Sequence, residues 1–262
     1  MSEKEDIIIP DDYSLASYFI EMKFNEQKIS SGTCFFYREE NRDYLVTNRH
    51  NVTGRHNETG DLLSKRGSIP NILSIRLVID SDGPNEWAFH DIPLIDEEDN
   101  PLWIEHPNYG KKVDVVILPI KLPDHLIYYP INILEEPLNE NTKARVGQDV
   151  FILGYPFEIS SGGLPIWKRA SMASEPEFDI DNLPKMYVDT ASRSGMSGSP
   201  VVIKERRPVT IMSKKEGEFS RCYTKLIGIY SGRIGAKDEL EAQLGIVWKS
   251  DLIPEIIKSL NK

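Results

Sequence analysis

The sequence predicts an all-β fold closed by one C-terminal helix. Three observations predict it. Short apolar or alternating runs recur along the chain with turn residues between them. Helical periodicity is convincing only after residue 250. The 262 residues are enough for one continuous β body or two small barrels that share an interface. Hydrophobic residues at 40% and charged residues at 27% are ordinary globular composition and exclude a disordered or collagen-like chain.

In chain order, strands are expected at 16–22, 33–38, 43–47, 73–79 and 113–120, then at 149–154, 186–189, 200–203, 226–230 and 243–248. Each is apolar or alternating and ends at turn residues. Residues 53–70 and 204–221 between them are polar and charged, and read as long surface loops or hairpins. Residues 123–145 hold Pro123, Pro130 and Pro137 among polar residues and read as a crossing linker. This makes 1–122 an N-terminal unit and 146–249 a C-terminal unit. In 250–262, Ser250 is expected to cap a helix with Leu252, Ile253, Ile256, Ile257 and Leu260 on one face.

The net charge of -10 argues against non-specific nucleic-acid binding or an anionic membrane surface, either of which usually needs a basic face. The two cysteines, Cys34 and Cys222, are far apart and read as free thiols. The first residues lack a cationic stretch ahead of the short apolar run Ile7 to Ile9, so no signal peptide is read there, and no run of 18 apolar residues occurs. Together these features predict a cytoplasmic location. Neither a Cys/His metal-ligand cluster nor a phosphate or dinucleotide fingerprint is present, so no metal and no cofactor is expected.

The clearest chemical signal is Gly195-Met196-Ser197-Gly198-Ser199-Pro200, leading into Val201-Val202-Ile203. Alone, the hexamer reads first as a Gly-Ser turn before a strand. Glycines around a serine also let the backbone turn sharply and approach a substrate, with the N–H groups of Gly195 and Ser197 aimed at a carbonyl oxygen that gains charge. Tyr44-Leu45-Val46-Thr47 runs straight into Asn48-Arg49-His50, which puts His50 just past a buried strand and favours it as general base over the other four histidines. Asp114 lies inside Val113 to Leu118, where an unpaired carboxylate would cost several kcal/mol. An imidazole N–H would satisfy it, and so would a salt bridge with Lys111 or Lys112. The order His, Asp, Ser excludes a fold whose histidine follows its serine, because the last histidine is His125.

With these segments in hand, the chain resembles a trypsin-like serine peptidase of the chymotrypsin superfamily, nearer in style to bacterial HtrA-type and glutamyl-endopeptidase-like domains than to animal digestive enzymes. The matching segments are Ser31 to Phe35, Leu45 to His50, Val113 to Leu118, Ile152 to Pro156, Gly195 to Pro200 and Leu226 to Tyr230. The resemblance implies two six-stranded antiparallel β-barrels with a site between them and a helix at the end. It implies a serine endopeptidase with protein or peptide substrates. His50 would be the general base, Asp114 its orienting carboxylate, Ser197 the nucleophile, and Gly195 and Ser197 the oxyanion donors. Ser231 would support the aspartate. The alternative is a catalytically silent module of the same fold.

The departures from the family are Met196 where zymogens of secreted relatives carry an aspartate, the missing disulfides, and Cys34 in place of a glycine. A peptidase with no zymogen switch needs another restraint, and two are expected as alternatives: a narrow extended-substrate requirement, or a serine loop around 192–196, left soft by Gly195 and uncharged at Met196, that only substrate or a partner orders. Between Pro200 and Gly228, Lys204, Arg206, Arg207, Lys214 and Lys215 form a basic insertion that reads as a solvated hairpin or as the docking element of a regulatory protein partner. The floor of the primary specificity pocket is expected at Ala191 and Ser192, with Gly245 on a wall. None is charged, which predicts an apolar or small substrate residue, or an acidic one received by Ser192 with Arg233.

Overall fold

The computed structural model describes residues 9–80, 86–135, 143–191, 193–209, 219–233 and 243–260, without the side chains of 207–209, 219–221 and 233. The first half folds into β1 (Tyr18–Phe24), β2 (Gln27–Glu39), β3 (Arg42–Thr47), α1 (Arg49–Thr53), β4 (Ile72–Ile79), β5 (Glu86–Pro93), β6 (Ile104–Glu105), β7 (Val116–Ile120) and β8 (Leu126–Ile127). The second half holds β9 (Asp149–Gly154), β10 (Ile166–Met172), β11 (Lys185–Asp189), β12 (Pro200–Val209), β13 (Phe219–Arg233), β14 (Leu244–Lys249) and α2 (Leu252–Ser259).

The architecture is the all-β one that the sequence predicts. The second half is a closed barrel of six antiparallel strands in the order β10-β11-β14-β13-β12-β9. The first half is an eight-stranded antiparallel sheet in the order β5-β4-β1-β2-β3-β7-β6, with β8 paired to β4. Its strand count exceeds the expected six because β6 and β8 are two-residue strands. Within the expected linker, β8 joins the first sheet and a 3-10 turn at Ile131–Leu134 follows it, while 136–142 lie outside the described residues. The described part of the polar stretch 204–221 lies in β12 and β13, which pair there as a hairpin with Arg206 opposite Cys222 and Val209 opposite Phe219. Of its basic residues, Lys204 pairs with Asp11, and Lys214 and Lys215 fall outside the described residues.

Each half has its own core. Ile20, Leu45, Leu73, Ile75 and Val116 fill the sheet, and Val150, Ile152, Met186, Val188 and Val247 fill the barrel. A third cluster joins the halves, with Phe35, Val46, Val115 and Ile117 against Leu153, Val202, Ile229 and Trp248. The four buried residues of α2, Leu252, Ile253, Ile256 and Ile257, complete that shared cluster. The helix starts later than expected. Asp251 is its N-cap, and the Ser250 carbonyl accepts from Ile253 N–H, so Ser250 contributes backbone and not the side-chain cap read from the sequence. Among the described residues no helix is long and apolar enough to cross a membrane.

Candidate active site

Strand register brings the predicted residues together. β3 and β7 are antiparallel, with Thr47 opposite Val116, so the residues just after β3 and just before β7 share one end of the sheet. That end holds His50, in the first turn of α1, and Asp114. The His50 backbone N–H donates to Asp114 Oδ1 at 2.9 Å, and His50 Nδ1 lies 2.6 Å from Asp114 Oδ2. Two contacts from one residue fix both the position and the ring orientation of the imidazole. Asp114 is 2% exposed. Asn48 Nδ2 donates to its backbone carbonyl at 2.7 Å, and the Ser231 hydroxyl donates to Oδ2. The salt bridge to Lys111 or Lys112 left open by the sequence is not formed; histidine and serine satisfy the carboxylate instead. Asp43 and Asp124 have no part in this cluster: Asp43 pairs with Arg38, and Asp124 is exposed.

The barrel delivers the serine in the same way. Gly198 N–H donates to the Tyr230 carbonyl and Tyr230 N–H to the Ser199 carbonyl, both at 2.9 Å, which sets the serine loop beside Ser231. Across the junction, Thr33 N–H and Asn51 Nδ2 both donate to the Ser197 carbonyl, at 2.8 and 3.2 Å. Gly198 has φ +87°, and a Cβ there would strike the Thr33 carbonyl, so only glycine fits this junction. His50, Asn51, Ser194, Gly195 and Ser197 line one cleft of about 200 Å³. Among the described residues no hydrogen bond yet joins Ser197 to His50, a separation common in unliganded sites.

Hydrogen bonds and burial hold residues 194–198 of the serine loop. Thr33 Oγ1 donates to the Gly195 carbonyl at 2.9 Å, and Met196, 1% exposed, is anchored in the barrel core. The Ser194 carbonyl accepts from Phe157 N–H at 2.8 Å. In a trans peptide the carbonyl and the next N–H point in opposite directions, so this bond turns the Gly195 N–H away from the Phe157 turn. Among the described residues, neither Gly195 N–H nor Ser197 N–H has an acceptor in the protein. The Phe157 turn is itself held under strain: Phe157 and Glu158 have φ of 52° and 65°, each costing about 1–2 kcal/mol in a non-glycine residue. Lys28 holds Glu158 at 2.8 Å, and this hydrogen bond keeps the Glu158 carboxyl below its ordinary range.

The pocket residues are less completely seen. Ala191 is half-buried just before the serine loop, and Gly245 pairs with Val188 and Arg233. Ser192 and the Arg233 side chain lie outside the described residues. Sequence reasoning missed the roles of Thr33, Asn48, Asn51 and Phe157, because each acts through hydrogen bonds to residues distant in the chain. It also missed an apolar wall beside His50 made by Leu183, Ile246 and Trp248. Among the described residues no group of three or more His, Cys, Asp or Glu could hold a metal ion.

Comparison with known proteins bears on the fold and the family. Residues 32–211 match the family model for the trypsin-like peptidase domain. Among solved structures, the chain is similar to a thermostable serine protease, AL20, from an extremophilic microorganism, at 9% identity and a TM-score of 0.52, covering 96% of this chain and 100% of that one. It is similar to GrC at 14% identity and a TM-score of 0.52, covering 97% of both chains. It is also similar to a serine endoprotease from Yersinia pestis, at 15% identity and a TM-score of 0.46, over 97% of this chain and 68% of that one. No curated protein matches the chain.

Proposed function

The chain belongs to the trypsin-like peptidase family and is by that membership a serine endopeptidase, and we propose that His50, Asp114 and Ser197 are its catalytic triad. The observation that carries the assignment is the double contact of His50 with Asp114 on the cleft that Ser197 also lines. In the reaction, Ser197 Oγ attacks the substrate carbonyl carbon as His50 Nε2 takes the hydroxyl proton. Asp114 accepts a hydrogen bond from His50 Nδ1–H, fixing the tautomer that leaves Nε2 basic and stabilising the imidazolium that forms. The Gly195 and Ser197 N–H groups stabilise the oxyanion, each worth roughly a hundredfold or more in rate. His50 then gives its proton to the leaving amine, and water, activated by the same imidazole, releases the acyl group from Ser197. Ser231 acts as a positioning residue through Asp114.

Residues 1–122 and 146–249 are read as the two domains that each supply part of this site, so neither half is active alone. The buried Cys34 and exposed Cys222, both free, support a reducing, cytoplasmic setting. The test is casein hydrolysis by the full chain and its alanine variants. Ser197→Ala, His50→Ala and Asp114→Ala should each lower turnover by roughly four to six orders of magnitude, with double variants adding little. Near-normal turnover by Asp114→Ala would show that another acid orients His50.

A further inference from the structure

One residue of β10 is not explained by the barrel that holds it. Ala170 and Met172 face the barrel core, and the two-residue period of a strand puts Lys168 on that same inner face. Its ammonium donates a hydrogen bond to Thr190 Oγ1. Thr190 is 6% exposed and directly precedes Ala191, at the entry to the serine loop. Gly245 reaches the same place: a Cβ there would lie 3.2 Å from Thr190 Cγ2 and 2.5 Å from the Tyr230 ring. Lys168 thus reaches Thr190, and Thr190 and Gly245 meet beside Tyr230, whose backbone binds Gly198 and Ser199 of the serine loop.

The charge at this spot is poorly compensated. Burial, followed by the proximity of Arg193, holds the Lys168 ammonium below the ordinary lysine range, while Asp189 acts in the opposite sense. Among the described residues Lys168 forms no ion pair; its partner is a neutral hydroxyl. Burying an ammonium against a hydroxyl alone is unfavourable, and an arriving carboxylate would remove the deficit through a charge-assisted hydrogen bond. A basic substrate residue would be repelled, and a large apolar one would seal the ammonium away from both water and any anion.

We propose that Lys168 makes this peptidase select an acidic side chain, glutamate or aspartate, at the substrate residue that contributes the scissile carbonyl. This rests on Ser197 being the nucleophile. Of the two preferences left open by the sequence, it chooses the acidic one and moves its origin from Ser192 and Arg233 to a lysine inside the barrel.

The experiment compares kcat/KM for peptides identical except at that residue, carrying Glu, Asp, Gln, Asn, Leu or Lys. The full-length protein should favour Glu over Gln by roughly ten- to a hundredfold, the worth of one charged hydrogen bond. Lys168→Met should bring that ratio close to one. If this variant does not fold, the Glu-to-Gln ratio of the unaltered protein decides. Equal or better cleavage after Gln or Leu, in protein whose Ser197 reacts with a fluorophosphonate, would overturn the specificity and leave the endopeptidase intact. A Glu preference unchanged in Lys168→Met would overturn the role of Lys168. Failure to cleave any peptide, with no labelling of Ser197, would overturn the nucleophile assignment and the specificity with it.

Discussion

Asp43 lies on β3 and Asp114 just before the neighbouring strand β7, and the two have different roles. Asp114 is closed off from solvent and spends its oxygens on His50 and Ser231. Asp43 takes a two-pronged hydrogen bond from Arg38, 2.6 Å to Nε and 2.7 Å to Nη2, and a third from the Tyr128 hydroxyl at 2.6 Å. The Arg38 contact holds the Asp43 carboxyl below its ordinary range. A depressed carboxylate stabilises the fold above its unfolded value, about 4, and loses that contribution as pH falls through its folded one. Because the Arg38 side chain is 40% exposed, solvent screens the pair and its worth is on the order of 1 kcal/mol. Asp43→Asn should therefore lower the urea midpoint at pH 7, with the gap closing below pH 4, and casein turnover should be unchanged. A gap that stays constant down to pH 2 would remove the ion pair as its cause. Asp114 was legible in the sequence because an acid inside an apolar run demands a partner. Lys168 was not, because no strand was expected at 166–172 and nothing in the local sequence marks a lysine there as facing inward.

Among the elements, α2 holds the two halves together. Ile256 is fully buried in the cluster shared by sheet and barrel, and Glu255 Oε2 meets His106 Nε2 at 2.9 Å beyond β6. His106 Nδ1 accepts from the N–H groups of Asn108 and Tyr109, so Nε2 carries the proton and donates it to Glu255. Ile256→Ala should cost about 2–5 kcal/mol in urea unfolding, the range for a buried branched chain cut to a methyl. A loss under about 0.5 kcal/mol would mean that the helix lies on the surface and does not tie the halves. The helix was visible in the sequence because its apolar residues keep helical spacing. β5 was not, because it is an edge strand with no fully buried residue and so no apolar alternation to read. β10 was hidden by its inward lysine.

For the whole molecule, the site exists only where the two halves meet. The first sheet supplies His50 and Asp114, the barrel supplies Ser197 and Ser231, and Thr33 and Asn51 bind the Ser197 carbonyl across the junction. The fold class was readable because strand patterning has a physical signature in local sequence, and the three residues proposed as the triad were picked out by a glycine-flanked serine turn, a histidine just past a strand and a buried acid. The pinning of the serine loop was not, since Phe157, Thr33 and Lys28 come from separate segments that only the fold brings together. The central claim is that these parts make Ser197 a nucleophile. It is tested most directly by treating the folded full-length chain and its His50→Ala variant with a fluorophosphonate and mapping the label by peptide mass. The account predicts label on Ser197 in the unaltered protein and almost none in the variant. Label on Ser194 or Ser199, or no label in a folded sample, would contradict it.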